Sequence, residues 1–134
     1  MPVGDYGMLD TSVLIAAEAG RRIAEDDLPA QAAISAVTFG ELQLGVLAAA
    51  DVSIRARRLA TLDRLSTIKV LALDHHAAAR WAELRMHVAQ AGRSIGINDL
   101  WIAATALAHD LALYTQDEDF DAVAGVAGLE VVVL

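Results

Sequence analysis

The chain has 134 residues, is 56% hydrophobic, carries a net charge of −8 and contains no cysteine. That length suits one core, residues 1–134 reading as a single domain. Disulfides and thiolate chemistry are excluded, and no apolar run approaches the ~18 residues that would span a bilayer.

The predicted elements alternate in type. "YGML" reads as a strand ending at Asp10, and "TSVLIAAEAG" as a helix closed by Gly20. "EDDLPAQ" is a polar loop. "AISAV" (33–37) reads as a buried strand, followed by a helix over "FGELQLGVLAAA" (39–50) and another over "SIRARRLATLDRLSTI", where leucines fall near helical spacing. "KVLAL" is a strand, and "HHAAARWAELRMHVAQAG" a long helix ending at Gly92. After the loop "GRSIG" come a helix from Ile97, the strand "LALYT", a short helix "DFDAVAG" and a last strand "LEVVVL". Five apolar strands separated by helices imply an α/β fold with a parallel five-stranded sheet flanked by helices on both faces. "MPVGDYGMLD" lacks a basic stretch followed by a long apolar one, so no signal peptide and a cytoplasmic location are expected.

In an open parallel sheet, ligands bind beyond the carboxyl ends of the strands. Asp10 ends the first strand, Glu41 falls in the first turn of the helix after the second, Asp99 in the first turn of its helix, and Asp117 two residues beyond "LALYT". Each acid also has a capping explanation. "DTS" can cap a helix, "TFGE" (Thr38 to Glu41) matches a capping box, Asn98 can cap with Asp99 complementing the helix dipole, and "QDEDFD" can be a polar turn. Four caps that all choose carboxylates at one pole would repel one another. A hard divalent cation, Mg²⁺ or Mn²⁺, relieves that cost.

The charges are unevenly distributed. Between Arg55 and Arg93 lie eight basic and three acidic residues, a net +5, which leaves −13 for the rest. This basic segment is either a solvated helix face or a guide for a polyanion. His75-His76 does not suit a metal site, because adjacent residues point to different helix faces and Asp74 reads as the cap in front of them. His87 and His109 are isolated, and Trp81 and Trp101 read as packing residues.

Together, "LDTSVLIA", "SAVTFGELQLGV", "AGRSIGINDLWIAATAL" and "YTQDEDFD" resemble the PIN-domain family, and within it the VapC-type ribonuclease toxins of toxin–antitoxin pairs. The resemblance implies a PIN-like three-layer fold and metal-dependent endoribonuclease activity leaving 5′-phosphate and 3′-hydroxyl ends. It implies Asp10, Glu41, Asp99 and Asp117 as the acidic quartet holding Mg²⁺ or Mn²⁺, with Ser12 and Thr115 at supporting polar positions. The fourth acid is Asp117 or Asp119, Asp117 being nearer the strand end. Arg93, after Gly92, is a candidate phosphate contact. An RNA substrate (transfer or ribosomal RNA), a VapB-type antitoxin and a homodimer are the implied partners, with no membrane. The competing readings are a catalytically silent PIN-like module that binds RNA or protein, a small-molecule phosphatase, for which no phosphate-binding glycine loop is present, and a DNA-directed nuclease of related fold.

Overall fold

The computed structural model describes residues 6–23 and 25–134, so the reading of the first five residues lies outside it. Strands β1 (Tyr6–Leu9), β2 (Gln31–Ser35), β3 (Lys69–Leu71), β4 (Ala112–Thr115) and β5 (Val131–Val133) form one sheet in the order β3-β2-β1-β4-β5. Every pairing is parallel. Helices α1 (Thr11–Glu18), α2 (Ala36–Ala48), α3 (Val52–Arg64), α4 (His75–Gln90) and α5 (Ile97–Ala108) make the connections. No described helix is long and apolar enough to cross a membrane.

Two cores follow from the alternation of side chains along buried strands. Met8, Ala33 and Leu113 face one way and pack with Leu84, Val88, Ile102 and Phe120, under α4 and α5. Leu9, Ile34 and Tyr114 face the other way and pack with Val13, Leu14, Leu42 and Leu65, under α1, α2 and α3. The sheet is therefore covered on both sides. Gly7 in β1 lies so close to the Tyr114 ring that a Cβ there would stand 2.9 Å from Cδ1.

Several boundaries differ from the sequence reading. The strand expected at 33–37 is Gln31–Ser35, and α2 starts at Ala36 rather than Phe39. The reason is Ser35, whose buried side chain caps α2 by accepting from the Thr38 amide at 3.0 Å. Thr38 is thus three residues inside the helix, no capping box forms at Thr38–Glu41, and Glu41 lies in the second turn, not the first. Helix α5 starts after Gly96, not Asn98, with no side-chain cap bond. The short helix expected from Asp119 is a 3₁₀ turn, Glu118–Ala122, capped by Asp117.

The chain order makes the site. From β1 the chain moves outward through β2 to β3, then returns to the other side of β1 for β4 and β5. The carboxyl ends of β1 and β4 therefore flank a topological switch point, where neighbouring loops part and leave a crevice.

Candidate active site

Asp10 follows β1 and Thr115 ends β4, and the pairing Leu9↔Tyr114 sets them side by side. The Asp10 amide donates to the Tyr114 carbonyl at 3.0 Å, extending the ladder to the crevice floor. Asp10 is buried, at 2% exposure, and occupies the N-cap position of α1 without making a cap bond. Its oxygens instead meet two hydroxyls. Ser12 Oγ donates to Oδ1 at 2.6 Å and Thr115 Oγ1 to Oδ2 at 3.0 Å. The same hydroxyls accept from the next turn, Ser12 Oγ from the Gln116 amide at 2.9 Å and Thr115 Oγ1 from the Asp117 amide at 2.8 Å. A buried carboxylate is thus tied to both strands. Burial pushes its pKa up, and the two hydroxyls and the Val13 amide pull against that shift.

Glu41 projects from the second turn of α2 and is anchored by Thr11 Oγ1, which donates to Oε1 at 2.7 Å. Thr11 Oγ1 also stands 3.2 Å from Thr38 Oγ1, which in turn lies 3.3 Å from Ser35 Oγ. This hydroxyl chain links the cap of α2 to its acid.

Asp99 is half-buried in the first turn of α5. Its pKa is pushed from 3.8 to about 6, first by loss of water and then by the charges of Asp117, Asp10, Glu41 and Asp119. All four other acids therefore bear on Asp99. Carboxylate oxygens of Asp99, Asp117 and Asp119 lie within 4.8 Å of one another. Asp117 also has a structural duty, accepting from the Asp119 amide at 2.9 Å. Asp117, favoured as the fourth acid, and Asp119, its alternative, both reach the cluster.

Arg93 lies at the edge. Its guanidinium donates to Asp121 Oδ2 at 3.2 Å and to the Asp121 carbonyl at 3.3 Å. Gly92 before it has φ +65° and ends α4, which accounts for the glycine by backbone geometry. Thr11, Thr38 and Ser35 were missed in the sequence. Asp74 caps α4 as expected, accepting from the Ala77 amide at 3.1 Å, and Trp81 stacks on Trp101 with ring centroids 5.1 Å apart.

A crowd of carboxylates around one member of raised pKa is a donor set made wholly of hard oxygen, the kind that suits a small divalent cation. Hydroxyl tethers on Asp10 and Glu41 restrict the oxygens that would otherwise swing apart.

Known proteins share both sequence and shape with this chain. The PIN domain family matches residues 7–126. Ribonuclease VapC5 of Mycobacterium tuberculosis is 50% identical over 126 residues, covering 94% of this chain and 93% of that protein. Ribonuclease VapC4 of the same organism is 40% identical over 119 residues, covering 89% and 92%. Among solved structures, a member of the VapBC family of toxin-antitoxin systems, VapBC-5 from M. tuberculosis, superposes with a TM-score of 0.90 at 46% identity, covering 97% of this chain and 99% of that one.

Proposed function

This chain belongs to the PIN domain family, and from that premise we propose that it is a metal-dependent endoribonuclease of the VapC kind, the toxin of a toxin–antitoxin pair. We take residues 1–134 as one such domain, acting in the cytoplasm. The observation that carries the reading is the convergence of acids at the switch point, where oxygens of Asp99, Asp117 and Asp119 lie within 4.8 Å of one another and the charges of Asp117, Asp10, Glu41 and Asp119 add to burial in raising the pKa of Asp99.

Asp99 and Asp117, joined by Asp10 and Glu41, are the residues assigned to hold Mg²⁺, with Mn²⁺ as an alternative. Asp119 supports them. When bound, the cation lowers the pKa of water and offsets charge on the scissile phosphate. The chain's own groups do the rest. Ser12 and Thr115 fix both oxygens of Asp10 so that the carboxylate enters the reaction already oriented. Glu41, with Oε1 held by Thr11, takes the proton of the attacking water. The water oxygen bonds to phosphorus as its proton passes to Glu41, the P–O3′ bond breaks, and O3′ leaves with a proton taken from solvent water, so the ends carry 5′-phosphate and 3′-hydroxyl. Arg93 exchanges its exposed partner Asp121 for a substrate phosphate, since exposed ion pairs are weak.

The antitoxin and a second copy of the chain are the proposed protein partners. Leu44, Leu47 and Val52, which are 64%, 76% and 84% exposed on the α2–α3 hairpin, provide apolar surface for them.

The test is incubation of purified protein with total cellular RNA in Mg²⁺, Mn²⁺ or chelator, with cut ends mapped. Asp99→Asn, purified identically, controls for contaminating nuclease. Discrete cuts with 5′-phosphate ends that need both metal and Asp99 support the reading. Absence of cuts from protein free of bound antitoxin would favour the silent binding module.

A further inference from the structure

Two helices on opposite faces of the sheet, α1, which starts at the crevice with Asp10, and α4, end in the same tripeptide, Ala-Gly-Arg. Helix α1 ends in Ala19-Gly20-Arg21, and α4 in Ala91-Gly92-Arg93. The backbone geometry is also the same. Gly20 and Gly92 have φ of +71° and +65°. The Gly20 and Gly92 amides donate to Ala17 and Ala89 at 3.1 and 3.2 Å, and the Arg21 and Arg93 amides to Ala16 and Val88 at 2.9 and 3.0 Å. Both are Schellman caps with arginine as the second residue past the helix.

These arginines border the acid cluster from its two sides. Arg21 lines a crevice of about 510 Å³ with Ser12, Gln116, Asp117 and Asp119. Arg93 lines one of about 640 Å³ with Ser94, Glu118, Asp119 and Asp121. Glu118 and Asp119, in the turn that follows β4, line both crevices. Of the other cations, Arg58 lines a separate crevice with Glu41 and Arg85 one with Arg93, and several are held within their own elements. Arg55 and Arg58 donate to the Ala49 and Gly45 carbonyls within the α2–α3 hairpin, Arg64 to Thr61, and Arg80 pairs with Glu83. Lys69 begins β3, at the opposite pole of the sheet. Among the described residues, Arg21 has no ion-pair partner within 4 Å.

We infer that Arg21 is a positioning residue for substrate, paired with Arg93 so that the two hold RNA backbone phosphates on opposite sides of the scissile one. The inference rests on the ribonuclease reading above and adds a direction to it. The strand runs from the end of α1, over Asp117 and Asp119, to the end of α4. A crevice of carboxylates repels RNA on either side of the reacting phosphate, and guanidinium groups on backbone-fixed caps offset that repulsion there.

The test uses the full chain and an oligoribonucleotide spanning the cut site that the wild-type protein makes in cellular RNA. If the wild type makes no cut, the ribonuclease reading fails, and the inference with it. If it cuts, Arg21→Ala is compared with Arg21→Lys and Arg22→Ala; Arg22 lies beside Arg21 but does not line the acid crevice. Arg21→Ala should raise KM roughly tenfold with kcat nearly unchanged, and Arg21→Lys should recover part of the loss. In binding measured on the Asp99→Asn background in Mg²⁺, Arg21→Ala should flatten the dependence of log affinity on log salt by about 0.7, the share of one phosphate contact on a single strand. Arg22→Ala should change neither quantity. A wild-type KM and salt slope in Arg21→Ala, or equal losses in Arg21→Ala and Arg22→Ala, would overturn the inference.

Discussion

Asp99 tests whether the acids are caps or ligands. A first-turn carboxylate favours its helix through the dipole by about 0.3–1 kcal/mol, so as a cap its removal should destabilise the chain. Its pKa of about 6 points the other way. The folded chain holds more protons than the unfolded one between pH 3.8 and about 6, so this group lowers stability as pH rises through that window. Metal-free Asp99→Asn should therefore melt higher than wild type at pH 7, by on the order of a few degrees. The gain should shrink toward pH 4, as thermal denaturation followed by circular dichroism would show. A lower melting temperature at pH 7 would restore the capping explanation. Thr115→Val should do the reverse. It strips a buried hydroxyl that serves both Asp10 and the Asp117 amide. A loss of about 1–3 kcal/mol in urea unfolding is expected, together with reduced cleavage. The acids themselves were legible because a lone carboxylate among apolar neighbours breaks the pattern. Thr11 and Thr38 were not, because their contact crosses from α1 to α2 and threonines suit helix starts on many grounds.

At the scale of elements, boundaries carried the errors and types did not. All five strands and five helices fall where the apolar runs and periodic stretches put them. The start of α2 was read three residues late because "SAVT" suits a strand as well as a helix, and nothing local shows that the Ser35 side chain accepts from the Thr38 amide. The slip changes the account of Glu41, which is held by a neighbouring helix and not by its own cap. Ser35→Ala should cost about 1 kcal/mol in unfolding free energy. It should also lower kcat, because the hydroxyl chain through Thr38 and Thr11 ends on Glu41. Normal activity in a destabilised variant would separate the cap from the acid. Gly20 and Gly92 were read as helix stops, and both adopt the left-handed backbone that a glycine cap supplies.

At the scale of the whole molecule, the strand order could not be read from the chain, yet it decides everything about the site. Five parallel strands can be ordered in several ways, and only a reversal beside β1 brings Asp10, from the start of the chain, against Asp117, near its end. Charge was legible as a total but not as a field. The net +5 of residues 55–93 left a solvated helix face and a polyanion guide both open, and in the structure Arg55 and Arg58 donate to carbonyls of their own hairpin. Arg93, at the far end of that segment, lines a crevice with Asp119 and Asp121, and Arg58 lines one with Glu41. The five acids gathered at the switch point are what a cation must offset, so metal should stabilise the fold by binding it. The most direct test of the central claim is calorimetric titration of Mg²⁺ into the wild type and Asp99→Asn at pH 6 and pH 7.5. The wild type should bind with proton release at pH 6, seen as a heat that varies with buffer, and with little release at pH 7.5, and binding should be weaker in Asp99→Asn. Equal binding by both proteins, or no binding at either pH, would contradict the claim.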